Sequence, residues 1–232
     1  MKYSSPFEIE FNGMKNSQFD IILYDFPNLT LGVKNYQTYK VAGRRGELVG
    51  ETECVGNAKI ECQFSVTSDV FLPRIISIME WLSGTGVLKT SDDPNCYYNV
   101  LKVDYGDIER ELRRFGIFSV NFTVDPYLYR IDGDSEYDSI SFNPYSKCMP
   151  IYRITGEGMC TLTVNGKTMT ANVGQNLTID TGRMLAYRQD GTMQNTAVTG
   201  DYTDLWLPHG ACSISITSGF GMLIIPKWGY NL

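Results

Sequence analysis

Three stretches of this chain repeat with a period of two, and that period narrows its fold more than any other feature. Ile60, Cys62, Phe64 and Val66 alternate with Lys59, Glu61, Gln63 and Ser65. Phe118, Val120, Phe122 and Val124 alternate with their neighbours in the same way, and Phe7-Glu8-Ile9-Glu10-Phe11 does so without a break. Successive side chains on a strand point to opposite faces, so each stretch predicts a strand with one face in a core. Further strands are expected at 21–26, 29–33, 36–41 and 97–103.

One segment breaks the pattern. Across 69–83, Leu72, Ile75, Ile76, Met79 and Leu82 fall at helical spacing, with Pro73 in the first turn and Gly84 just past the end. Phe71, Ile78 and Trp81 widen the apolar arc beyond one face. Such a helix needs cover on two sides, either from a deep core of its own or from a second subunit. Ile78 and Trp81 are therefore candidates for an oligomer interface.

The segment 131–139, IDGDSEYDS, is acidic and poor in large apolar residues and reads as a linker or a long surface connection. Beyond it no helix is expected. Asn165-Gly166 sits between two alternating runs and predicts a type I′ hairpin. Strands are also expected at 151–155, 177–180, 204–207, 212–217 and 222–225, and many short strands with turn signals suggest a β-sandwich. The chain is thus expected to be mainly β, with domains at 1–135 and 136–232.

With 232 residues and 43% hydrophobic content, the chain buries roughly 70% of its unfolded surface and folds without staples. Its net charge of −6 argues against groove-reading nucleic-acid binding, which runs on basic patches. No apolar run reaches the ~18 residues of a membrane helix. No signal peptide is expected at the N-terminus. The cysteines, Cys54, Cys62, Cys96, Cys148, Cys160 and Cys212, are widely and irregularly spaced, which points to free buried thiols rather than a zinc site.

No catalytic motif emerges. Gly166-Lys167-Thr168 resembles the end of a phosphate-binding loop, but Thr161 stands where the first glycine belongs. Asp132, Asp134, Glu136 and Asp138 alternate like a calcium loop, yet Tyr137 and Asn143 occupy its glycine and glutamate positions. His209, the single histidine, lies in a turn with no nucleophile elbow to partner it. No catalytic, cofactor or metal residue is therefore assigned. Gly43-Arg44-Arg45-Gly46 lies between two strand signals. It reads as a hairpin tip whose arginines, Arg44 and Arg45, reach an acidic surface on a neighbour, or as an ordinary solvated tip. Trp206 and Trp228 are candidates for an aromatic sugar platform, against the alternative of core packing.

The order of these features resembles the distal tail protein (Dit) family of long-tailed, non-contractile bacteriophages. The first part carries the Gly43–Gly46 hairpin, the alternating 58–66 strand and the helix ending at Trp81-Leu82. It continues with Asp92-Asp93-Pro94, Tyr97-Tyr98 and the closing strand from Gly116 to Pro126. The second part carries Phe142-Asn143-Pro144, Met149-Pro150-Ile151, Ile154-Thr155-Gly156, the Asn165-Gly166 turn, Leu207-Pro208-His209-Gly210 and Ile225-Pro226-Lys227-Trp228. Tyr145 stands where the family usually has the glycine of an Asn-Pro-Gly turn.

The resemblance implies a structural role. The family's first domain is tail-tube-like, a β-sandwich or barrel with one helix and an extended hairpin. It forms a hexameric ring around a channel for DNA, between the tail tube protein and the tail-tip hub protein. The second domain is a galectin-like β-sandwich resembling carbohydrate-binding modules. Implied partners are further copies of the chain, those two proteins and, in many phages, a receptor-binding protein, with host cell-wall carbohydrate a further candidate. The place is the virion tail tip, after assembly in the bacterial cytoplasm. A negative chain suits a conduit for DNA, because like charge keeps the polymer from sticking. The competing expectation is a carbohydrate-binding protein working through its second domain, and a third is a glycan-degrading tail-tip enzyme.

Overall fold

The computed structural model describes residues 7–112 and 114–232, with the backbone alone for Asn35, 51–54, Arg110 and Glu111. The chain divides into two compact units between Leu128 and Tyr129, and Leu232 returns to the first.

The first unit is a sheet carrying one helix. Its strands are β1 (Ile9–Phe11), β2 (Met14–Lys15), β3 (Ile21–Leu23), β4 (Asn28–Thr30), β5 (Lys34–Tyr39), β6 (Leu48–Val55) and β7 (Ala58–Thr67). The helix α1 (Phe71–Trp81) follows, then β8 (Gly86–Thr90), β9 (Cys96–Leu112) and β10 (Phe115–Arg130). The sheet runs β2-β1-β8-β9-β10-β7, and β3 and β4 lie end to end along the outer edge of β7. The alternating runs occupy its centre: Phe118 opposes Phe64, Val120 opposes Cys62 and Phe122 opposes Ile60. All six side chains are buried. Each is on the same face as its partner because both strands keep the period of two.

The helix lies on that buried face. Phe71, Ile75, Ile78, Trp81 and Leu82 join Ile9, Phe11 and Val100 in one core. This corrects the sequence expectation in two ways. Ile78 and Trp81 are 0% and 5% exposed, so they are taken up by the unit's own core and offer no surface to a neighbour. Leu72 and Ile76, expected on the core face, are instead 67% and 51% exposed. The buried arc is centred about one residue earlier along the helix than the Leu72–Leu82 set implied, because the two bulkiest side chains, Phe71 and Trp81, face inward.

The second unit centres on one long hairpin. Its strands are β11 (Phe142–Asn143), β12 (Ile151–Val164), β13 (Lys167–Asp180), β14 (Leu185–Tyr187), β15 (Val198–Thr199), β16 (Gly210–Ala211), β17 (Ile214–Ile216), β18 (Gly221–Ile225) and β19 (Gly229–Asn231). β12 and β13 pair in unbroken register from Ile151–Asp180 to Val164–Lys167. Asn165 and Gly166 join them at φ +50° and +83°, both left-handed, as a type I′ turn requires. β18 and β17 lie in succession along the other edge of β12, and β14 and β15 along β13. β11 and β16 form a separate pair.

Two expectations fail in this unit. The strand expected at 204–207 is largely a 3-10 turn, Tyr202–Leu205. Asp201 accepts from the Thr203 N–H at 2.9 Å, and a local carboxylate acceptor favours a turn over a ladder. Of the two alternatives for the acidic 131–139 segment, the free linker fails and the surface connection, largely exposed, holds. Ile131–Asp134 is a 3-10 turn whose Gly133 is buried, and Tyr137 exchanges two main-chain hydrogen bonds with Ile224.

Candidate functional site

The most unusual surface belongs to the hairpin of β5 and β6. These strands pair with each other, Tyr36 with Glu51 and Tyr39 with Leu48, and form a sheet apart from the main one. The hairpin's root is narrow. Gly56 donates its N–H to the Val33 carbonyl at 2.9 Å, and a Cβ on Gly32 would stand 2.1 Å from the Gly56 carbonyl oxygen. Only glycine permits two chain segments to approach that closely. Beyond the root, the ribbon exposes Tyr36, Tyr39, Val41, Leu48 and Val49. A two-stranded ribbon without a packed face is marginal in water, so a ribbon this apolar is built to be covered.

Its tip carries Gly43 and Gly46, both left-handed at φ +80° and +83°, on either side of Arg44 and Arg45. Both arginines are exposed, and neither meets a carboxylate among the described residues. Next to the root, the edge formed by β3 and β4 exposes Ile22, Tyr24, Phe26, Leu29 and Leu31. Exposed apolar side chains and an open strand edge thus occur together between residues 22 and 49.

A small cavity of about 180 Å³ opens on the same unit. Phe7 and Phe26 meet edge to face at 5.6 Å, and Leu29 and Tyr98 complete its apolar wall. Asp92 and Asp93 line its mouth and are exposed. Burial, with the negative charge of Asp93, Cys96 and Asp92, pushes the Tyr98 phenol up, so it stays a neutral donor.

In the second unit the two tryptophans do not share a surface. The Trp206 indole N–H donates to the Thr181 carbonyl at 3.3 Å, and the Lys147 ammonium covers the ring at 4.3 Å. Trp228 packs against Tyr137 and Tyr145 at 5.0 and 5.7 Å. No ring contact joins Trp206 to Trp228 among the described residues. The aromatic group around Trp228 continues through Tyr145 to Tyr230, and the Arg130 guanidinium lies 4.7 Å over the Tyr145 ring. Arg130 is anchored by two charge-assisted hydrogen bonds to Asp132 at 2.8 and 2.7 Å. These bonds hold the Asp132 carboxyl below the usual carboxylate range. Sequence reading found the tryptophans but missed this cluster, because its members are scattered from 130 to 230.

Three of the four calcium-loop carboxylates are engaged in ion pairs: Asp132 with Arg130, Asp134 with Lys227 and Glu136 with Arg153. The His209 Nδ1–H donates to the Tyr145 carbonyl, 3.0 Å away, with Phe142 edge-on to the ring. Gly166-Lys167-Thr168 lies in a strand-to-strand turn, the wrong setting for a phosphate loop. Cys62, Cys96, Cys148, Cys160 and Cys212 are buried, and burial pushes Cys62 and Cys148 up to about 12. The side chain of Cys54 lies outside the described residues. No helix among the described residues is long and apolar enough to cross a membrane.

No family model matches this sequence, and no curated protein matches it either. Among solved structures, the chain is similar to the Dit protein (gp 19.1) of phage SPP1, described as a paradigm of the hub adsorption apparatus of phages that infect Gram-positive bacteria. The likeness has a TM-score of 0.67 at 14% identity and covers 95% of this chain and 98% of that one. It spans both units and fixes the architecture: this mainly β chain has the fold of a phage distal tail protein.

Proposed function

We propose that this protein is a distal tail protein, a structural component of a phage tail tip that acts without catalysis. The likeness to the SPP1 hub protein over nearly the whole length of both chains carries this reading, because it accounts for both units at once. In it, the first unit is the ring-forming, tail-tube-like domain and the second the galectin-like domain. Copies of the first unit close into a six-membered ring around a channel for DNA. The ring joins the tail tube to the tail-tip hub and the host-adsorption proteins of the virion.

The exposed apolar ribbon and the open β3/β4 edge support self-assembly, since a closed ring covers both without leaving a growing end. Arg44 and Arg45 remain the interface candidates, and the partners of Ile78 and Trp81 lie within the protomer. A sugar platform built jointly by Trp206 and Trp228 finds no support in their separate packing. Negative-stain electron microscopy of the purified protein across a concentration series tests the reading. Six-fold rings with an open centre are expected. Monomers alone, at every concentration and on isolated tail tubes, would count against it.

A further inference from the structure

The basic tip and the acidic cavity of the first unit are complementary, and they belong to opposite ends of the β5–β6 hairpin. The cavity is lined by Phe26 and Leu29, just before the root of the hairpin at Gly32 and Gly56. The tip is at the far end of that hairpin. At about 3.4 Å per residue, the paired strands and their loop carry Arg44 and Arg45 roughly 25 Å away from the root. From Tyr36–Glu51 to Tyr39–Leu48 the two strands pair in continuous register, beyond an irregularity between Lys34 and Tyr36.

The chemistry of each side asks for the other. Arg44 and Arg45 are exposed cations held forward by two left-handed glycines. Asp92 and Asp93 are exposed anions with no cationic partner among the described residues. Behind them lie the faces and edges of Phe7, Phe26 and Tyr98, with a neutral phenol. A guanidinium is weakly hydrated, stacks on aromatic rings and binds carboxylates through a planar fork, whereas a lysine ammonium does neither of the last two as well. The cavity is of a size for one side chain, and its mouth carries the opposite charge.

We infer that the Arg44-Arg45 tip of one copy docks in the Asp92-Asp93 cavity of the next, with one guanidinium against the Phe7, Phe26 and Tyr98 wall. The contact rests on the ring reading above and specifies which two surfaces meet. It is head-to-tail, because tip and cavity are different surfaces of one protomer, and such contacts generate closed rings or open filaments.

Charge reversal tests it. Arg44→Glu with Arg45→Glu, and separately Asp92→Lys with Asp93→Lys, place like charges at the contact. Each pair is expected to lower the assembled fraction on the order of ten-fold or more at matched concentration. The chain carrying all four substitutions restores opposite charges and is expected to recover assembly. All four positions are exposed, so circular dichroism should show an unchanged fold. Rings that tolerate both reversed pairs would overturn the docking contact and leave the ring reading intact. Loss of assembly in each pair without recovery in the four-fold variant would also overturn the pairing. A wild-type chain that never assembles would remove the ring reading and the contact with it.

Discussion

The indole N–H of Trp81 donates to the main-chain carbonyl of Phe11 at 3.1 Å, tying the last turn of α1 to the strand beneath it. The ring also stacks on Phe19 at 4.5 Å with its plane tilted by only 12°. This single side chain closes the gap between helix, β1 and the 16–19 turn. Trp81→Phe keeps most of the apolar contact but leaves the Phe11 carbonyl without this donor, at a cost of about 1–3 kcal/mol. Ile78→Asp, which buries a carboxylate in the same core, is expected to unfold the unit outright. Leu72→Ser, on the exposed face of the same helix, should shift stability by no more than about 0.5 kcal/mol. Urea titrations of the three variants check the set. Equal effects at Leu72 and Ile78 would contradict the orientation of the helix.

Asn143 makes one of the most densely bonded polar contacts in the second unit. It is fully buried, and its Nδ2 donates to the carbonyls of Ser146, Leu207 and Pro208 at 3.0, 3.2 and 3.1 Å. Its Oδ1 accepts from the Tyr145 N–H at 3.0 Å, so β11 and the 207–208 segment are tied through one amide. Asn143→Ala strands several of these groups, and a loss of about 2–4 kcal/mol is expected. Asn143→Asp should be worse near neutral pH, because a carboxylate turned toward three carbonyl oxygens has nothing to donate. Chemical denaturation at pH 7 measures both, and a neutral Asn143→Asp would refute the bonding pattern.

How far the sequence carried depended on whether a signal was local. The period of two located β7 and β10 and the face each side chain takes, since both keep their apolar residues on one face. Asn165-Gly166 located the second unit's main hairpin because its backbone requirement is written in two adjacent residues. The helix was legible, but its orientation was not. Leu72 and Phe71 are both apolar, and which one turns inward depends on Gly116, whose missing Cβ leaves room for the Phe71 ring. The tip arginines were visible as a motif. Their receptor was not, because Phe7, Phe26, Asp92, Asp93 and Tyr98 meet only through the pairing of β1 with β8 and of β4 with β7.

Gly133 shows how closely the acidic segment is fitted. A Cβ there would lie 2.4 Å from the Trp228 main-chain nitrogen and 3.0 Å from its carbonyl oxygen. The Lys227 N–H donates to the Gly133 carbonyl at 2.8 Å, so the two backbones cannot part without losing it. Gly133→Ala is therefore expected to cost about 2–3 kcal/mol, in the range of an overpacked core position. Gly13→Ala meets no neighbouring atom but sits at φ +83°, and its cost, about 1 kcal/mol, comes from backbone strain alone. Thermal unfolding of the two variants separates steric from conformational cost.

The thiols make a prediction about chemical reactivity. Burial pushes Cys62 and Cys148 up to about 12, so at pH 8 only about one molecule in 10⁴ carries either thiolate. Iodoacetamide at that pH should leave both unmodified in the folded chain and label both in urea, as peptide mass spectrometry would show. Rapid labelling of Cys62 in the native protein would mean that the core face of β7 and β10 opens, since that residue is wholly buried on it.

The Arg130–Asp132 pair links stability to pH. The guanidinium holds the Asp132 carboxyl below its unfolded value, so the folded state binds fewer protons across that interval. The pair's contribution is full above the unfolded pKa of about 4 and is lost as pH falls through the folded value. Asp132 is 43% exposed, and solvent screening limits the contribution to about 0.5–1 kcal/mol at pH 7. Asp132→Asn should lower stability by that amount at pH 7 and by progressively less as the solution is acidified, until wild type and variant unfold alike. Urea titrations of both chains at a series of pH values measure the difference. A gap that persists unchanged at low pH would assign the role of Asp132 to shape and not to charge.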